Sequence, residues 1–447
     1  MLNFQTVHQN NTEKVTEGKT VVFLALVYLL IFQRPLETVW PGFSYIDEAV
    51  ALLGVVSAFD QIVIKRKSCL PKYMLLAYAF LAVFFISGLL GNILFQYQPW
   101  KWVIVDIYTN FKFFFAILTG YLLFFDLSWE KLKKTAAFHG KLITGFLFAF
   151  FLLDRVFQLY PGEIRHGIRS ARLFFVHSTY FAGAVAFLLC FMTIFYDKKT
   201  WPFLVMGVIM IVFTLRSKAM ASAALFCVIF VLIIVLKLKV KLWHLTLLGG
   251  FAVLLGWPQI EYYFIALSGS SARSVMLITS FLIMKDYFPI GTGFGTYASS
   301  AAEKCYSPVY LKYGFNDNME LRNINDWENT YRLIEKIGEE INKPKYINGV
   351  FLNDTFWPII FGQSGVIGTV AYVGALLIFF KKCFEVQKVN RYCFAAMMYL
   401  WAHLIISSIA EPAFNNAMAI PFAMMMGIVW GVTERYNNSS LGKDVML

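Results

Sequence analysis

Four groups of polar residues stand out in an otherwise apolar chain, and their types suit chemistry on a phosphate. Arg216 and Lys218 lie in TLRSKAMAS, between two apolar runs with almost no loop. Arg273 lies in SGSSARSVML and opens a short apolar segment, where Ser270 or Ser271 is placed to cap a helix whose N-terminus adds partial positive charge. Arg165, Arg169, Arg172 and His177 fall in EIRHGIRSARLFFVHSTYFAG, a basic loop running into a helix. The fourth group is acidic: Asp354 in LNDTFW and Glu411 in AEPAFNN, each a potential acceptor for a hydroxyl proton.

Arginine suits a phosphate because its planar fork stays charged and binds two oxygens at once. A sugar joined through a diphosphate already carries a good leaving group, so fixed positive charge can stabilise its departure while a single base helps a hydroxyl attack. The plain structural alternatives are snorkelling for Arg216 and Lys218, a satisfied polar group at a helix start for His177, and caps or headgroup-level charges for Asp354 and Glu411. No Asp-rich metal motif and no Gly-rich phosphate loop followed by Lys-Ser/Thr is present, so neither a metal nor a cofactor is expected. FPIGTGFG at 288–295 follows no strand of a βαβ unit and reads as an irregular turn. Asp106 and Lys112 lie six apart on one apolar segment, and a structural role for Lys112 inside the bundle is favoured over one in a substrate cavity.

These residues need a scaffold, and composition says which kind. Of 447 residues, 59% are hydrophobic and only 15% charged, against about a quarter charged in soluble proteins. The bilayer is therefore the main solvent, and the expected fold is all-α, a polytopic bundle of about twelve spans. Candidate spans fall near 19–36, 45–64, 73–95, 103–125, 136–158, 173–196, 200–216, 219–237, 242–257, 354–380, 392–409 and 416–433. Met1 to Thr20 is polar and mixed in charge, so the first apolar run reads as a retained span and not a cleavable signal.

Basic clusters occupy alternate loops: Lys65-Arg66-Lys67, Lys131 with Lys133-Lys134, Lys198-Lys199, Lys237 with Lys239 and Lys241, and Lys381-Lys382 with Lys388 and Arg391. The positive-inside rule puts these loops and both termini in the cytoplasm, and the four polar groups outside. Ser274 to Met284 is too short to cross, so an interfacial or re-entrant helix is expected there. The chain then divides into spans within 1–257, a large extracytoplasmic loop at 258–353, and 354–447 with the remaining spans and a cytoplasmic tail. The net charge of +12 has a topogenic reading, so membrane lipids and not nucleic acid are the expected partners. The six cysteines show no metal-ligand spacing and no disulfide framework.

The run SGSSARSVMLITSFLIMKDYFPIGTGFGTY, followed by NDTFWPIIFGQSGVIG, resembles the O-antigen ligase and polymerase superfamily. RSARLFFVHSTYFAG and TLRSKAMASAAL are similar to two further stretches of that family, so the resemblance covers roughly 165–370. It implies metal-independent glycosyl transfer from an undecaprenyl diphosphate-linked glycan on the outer side of a bacterial cytoplasmic (inner) membrane. Arg216 and Arg273 would hold the diphosphate, with Lys218, and Arg172 from the basic loop, beside them. Ligases of the family place His-Asn where this chain has Asn353-Asp354, which leaves Asp354, His177 or Glu411 as the base and favours a repeat-unit polymerase of the Wzy type. Such an enzyme would take lipid-linked glycans as donor and acceptor and work beside a flippase and a chain-length regulator. A ligase acting on lipid A core is the first alternative. A transporter or flippase is the second, although it would place charges near the bilayer midplane in broken helices.

Overall fold

The computed structural model describes residues 2–66, 70–125, 127–165, 167–241, 272–305, 307–313 and 355–438, with a few isolated positions between 243 and 261. These residues are overwhelmingly helical. In chain order the elements are α1 (Leu2–Ile31), α2 (Gln33–Val39), α3 (Ile46–Phe59), α4 (Lys72–Phe95), α5 (Trp100–Leu123), α6 (Trp129–Phe157), a two-residue antiparallel hairpin of β1 (Ile164–Arg165) and β2 (Ile168–Arg169), α7 (Ser178–Ile194), α8 (Trp201–Val212), α9 (Ser217–Phe230), α10 (Ala272–Asp286), α11 (Ser300–Lys304), α12 (Val309–Lys312), α13 (Trp357–Val389), α14 (Arg391–Ser408) and α15 (Ala419–Asn438).

A helix occupies every expected apolar segment except 242–257, most of which lies outside the described residues. Long apolar helices mark a membrane protein, but five of those described are long and apolar enough to cross by themselves, or six if the bent pair Glu17–Ile31 and Gln33–Val39 counts as one span. α7 and α8 are apolar but shorter, and α7 is buried along nearly its whole length.

Helix packing is closest where side chains are smallest. A Cβ on Gly120 of α5 would lie 1.9 Å from the Met424 carbonyl oxygen of α15, and one on Gly427 would lie 2.1 Å from the Ile117 oxygen. With lipid as apolar as the side chains, such backbone contact is a main source of helix association.

An ion pair lies inside the bundle. Lys112 has the structural role expected of it, and its partner is Asp47 on α3 at 2.5 Å, with Glu48 at 3.5 Å. Gln33 donates to the other Asp47 oxygen at 2.7 Å. Asp106 instead accepts from Asn110 of its own helix and from the Gly295 N–H, both at 2.9 Å.

That last bond belongs to the turn at 288–295, which is irregular as expected and is buried over 291–295. α13 breaks at Gly365 (φ 59°, ψ −157°), which frees backbone groups that the turn satisfies. Thr292 N–H donates to the Gly362 oxygen, Gly293 N–H to the Gln363 oxygen, and Ile367 N–H to the Pro289 oxygen. Asn92 of α4 holds both the N–H and the oxygen of Phe294. Gly293 takes φ 99° with a Cβ position only 2.5 Å from the Asn92 nitrogen, so no other residue fits. The glycines are a joint between α4, α5 and α13, and their N–H groups are already committed.

Candidate functional site

The helix following Arg216 and the helix following His177 begin side by side. Arg216 is the N-cap of α9 and His177 the N-cap of α7, so the partial positive charges of two helix N-termini meet at this point. Both approaches are strained: Leu215 (φ 53°) and Leu173 (φ 49°) take left-handed backbone, which costs an L-residue about 1–2 kcal/mol. A bond from the Ala171 N–H to the Phe213 oxygen at 2.7 Å ties the two loops together.

Arg216 makes three side-chain contacts. Its Nε donates to Ser178 Oγ at 2.7 Å, and its Nη2 lies 2.9 Å from Glu163 Oε1 and 2.5 Å from His177 Nε2. The side chain is only 16% exposed, so this charge is less screened than a surface arginine. Glu163 stands at the foot of the hairpin, its second oxygen held by Arg165 Nε at 2.9 Å and Nη2 at 2.7 Å. The Arg165 bonds, with the charge on Arg216, hold the Glu163 carboxyl below its usual range. Burial, then the charge on Arg216, push the His177 imidazole down, so it is neutral at neutral pH. Burial and then Arg165 lower the Arg216 guanidinium, which still stays charged.

A pocket of about 230 Å³ opens beside these groups, lined by Pro161, Gly162, Glu163, Ser170, Arg172, His177 and Ser178. Arg172 turns one arm to the Val176 oxygen at 2.8 Å, while its Nε is buried without a partner. The loop carrying the pocket hangs from Asp154, which accepts from the Tyr160 N–H and pairs with Arg155 and Arg169. Arg169 is therefore a structural member of the basic loop, and Arg165 is the partner of Glu163.

Lys218 and Glu411 form an ion pair at 2.6 Å, joining the first turn of α9 to the turn after α14. One turn further along α9, Ser222 bonds Nδ1 of the buried His403 at 2.8 Å. The structure thus brings His177 and Arg172 to one pocket, with Arg216 bonded to three of its lining residues, Glu163, His177 and Ser178, and with Lys218 and Glu411 joined to each other. Arg273 is not among the residues that line this pocket; it is half-buried at the start of α10, a helix that packs chiefly against α13. Asp354, Ser270 and Ser271 lie outside the described residues. Glu163 and Ser178 had no role assigned from sequence, although Glu163 heads the basic run and an acid in that place is the signal for a local partner. His403, within an apolar helix, offered none. Among the described residues, no group of three or more His, Cys, Asp or Glu is placed to hold a metal ion.

No family model, no curated protein and no solved structure matches this chain.

Proposed function

We propose that this protein is a membrane glycosyltransferase that polymerises undecaprenyl diphosphate-linked oligosaccharide units on the extracytoplasmic side of a bacterial inner membrane, without a metal. The observation that carries the reading is Arg216, a little-exposed guanidinium between two helix N-termini, bonded to residues of a pocket that Arg172 lines. In the reaction the bond between the sugar's anomeric carbon and the diphosphate breaks, its electron pair leaving with the phosphate oxygen. The acceptor hydroxyl forms the new bond and gives its proton to a carboxylate. Arg216 neutralises the leaving diphosphate, with Arg172 and Lys218 assisting. Asp354 is the preferred base, since Glu411 is neutralised by Lys218 at 2.6 Å. Lipid-linked donor and acceptor are the partners, with a flippase upstream and a chain-length regulator alongside.

The deciding experiment is a reaction of the purified full chain with defined lipid-linked repeat units. Ladders of lipid-linked polymer support the proposal. Transfer only to a lipid A core acceptor would identify a ligase, and movement of units across a bilayer without new glycosidic bonds would identify a transporter.

A further inference from the structure

The contacts of His177 point to a role other than that of a base. A neutral imidazole carries one N–H and one lone pair, yet two donors face this ring. Thr179 N–H is aimed at Nδ1 at 3.2 Å, and Arg216 Nη2 is aimed at Nε2 at 2.5 Å. Both cannot be accepted at once. The same Arg216 nitrogen also touches Glu163 Oε1 at 2.9 Å, and that oxygen is 3.7 Å from His177 Nε2. One carboxylate oxygen therefore sits before the guanidinium and the outer ring nitrogen together, on a residue that lines the pocket.

We propose that Glu163 Oε1 stands where an oxygen of a phosphate or diphosphate binds, and that His177, with Nδ1 kept as acceptor by the α7 cap, serves that oxyanion as an Nε2–H donor. The inference rests on the diphosphate reading of this pocket and deepens it. An arriving oxyanion takes the Arg216 N–H away from the ring, so Nε2 holds the ring proton and donates it as a hydrogen bond while Thr179 keeps its acceptor. The tautomer follows from the bond at the other nitrogen. Double protonation would set a ring N–H against the Thr179 N–H at the positive end of α7, and burial, then the charge on Arg216, oppose it, whereas Glu163 favours it. Glu163 is then an internal competitor. It gives up Arg216 yet keeps Arg165, so its displacement leaves no unpaired charge. His177 is a binding residue on this account and takes no proton from the acceptor.

The test uses the full-length protein in nanodiscs and titrates inorganic pyrophosphate, then undecaprenyl diphosphate incorporated in the disc, by calorimetry and competition. Glu163→Gln is expected to tighten pyrophosphate binding about fivefold or more. His177→Gln, whose amide N–H reaches the Nε2 position, is expected to bind within about threefold of wild type, while His177→Leu loses tenfold or more. Undecaprenyl diphosphate is expected to displace pyrophosphate, and its failure to do so would assign the site to free phosphates. Nitrogen-15 shifts of the His177 ring should report a proton on Nε2 once pyrophosphate is bound. Unchanged or weaker binding in Glu163→Gln, equal damage in the two His177 variants, or a ring proton on Nδ1 overturns the inference and leaves the diphosphate reading standing. Wild-type affinity for both probes in Arg216→Ala overturns both.

Discussion

Replacing Arg216 by Ala removes a guanidinium that has three partners at 2.5–2.9 Å and is only 16% exposed, so little solvent screening softens the loss. A preorganised donor aimed at developing negative charge is worth about 3–4 kcal/mol of transition-state stabilisation, roughly a hundred- to a thousandfold in turnover. Arg216→Lys keeps the charge but loses the fork that reaches Ser178, His177 and Glu163 together, and is expected to recover all but about tenfold. Lys218→Ala is expected to cost less than about tenfold, because the Glu411 carboxylate at 2.6 Å already neutralises its ammonium. The assay is polymer formation from lipid-linked units under single-turnover conditions, with thermal unfolding of each variant as a folding control. Turnover of Arg216→Ala within about threefold of wild type, in protein that unfolds at the wild-type temperature, would refute the assignment. A larger loss in Lys218→Ala than in Arg216→Ala would refute the ranking drawn from the ion pair.

Lys112→Met leaves Asp47 charged and buried, and is expected to destabilise the protein by about 3–5 kcal/mol; adding Asp47→Asn should restore most of it, read as the unfolding midpoint in detergent. Gly293→Ala meets both an unfavourable φ and the Asn92 backbone and is expected to cost about 3 kcal/mol or more, whereas Gly167→Ala, at φ 75° with open space around it, should cost about 1 kcal/mol; equal costs would show that the joint is not tightly packed. The lowered His177 imidazole binds its proton less readily folded than unfolded, so its contribution to stability is complete above about pH 6.5 and is lost as pH falls through its depressed value. The acid side of the unfolding-temperature profile should therefore be flatter in His177→Gln than in wild type, and a steeper variant profile would reverse the sign. The lowered Glu163 carboxyl contributes above about pH 4.5 and loses that contribution as pH falls further, so Glu163→Gln should differ most from wild type above that range.

The helices and the polar groups between them were legible in the sequence because both follow from local chemistry. An apolar run of sufficient length has no better way to satisfy its backbone in lipid than as a helix, and the order of runs and basic clusters can be read directly. That His177 stands at a helix start, and Arg216 between two apolar runs, followed from the points where polarity gives way to apolar residues; that Arg216 caps the second of those runs did not. What those residues touch did not follow. Lys112 pairs with Asp47, 65 positions away, and Asp106 turns to Gly295, because pairing in a bundle depends on which helix faces are neighbours. FPIGTGFG read as a turn, but its purpose appears only at Gly365, where α13 breaks and needs other backbone to complete it. Likewise Glu163 looks like one charge in a basic loop until the fold sets it against Arg216, 53 positions on. Chain chemistry alone decided that there would be helices with cations at their ends; the meeting of two helix starts, fixed by packing between distant segments, decided which cation stands against which partners.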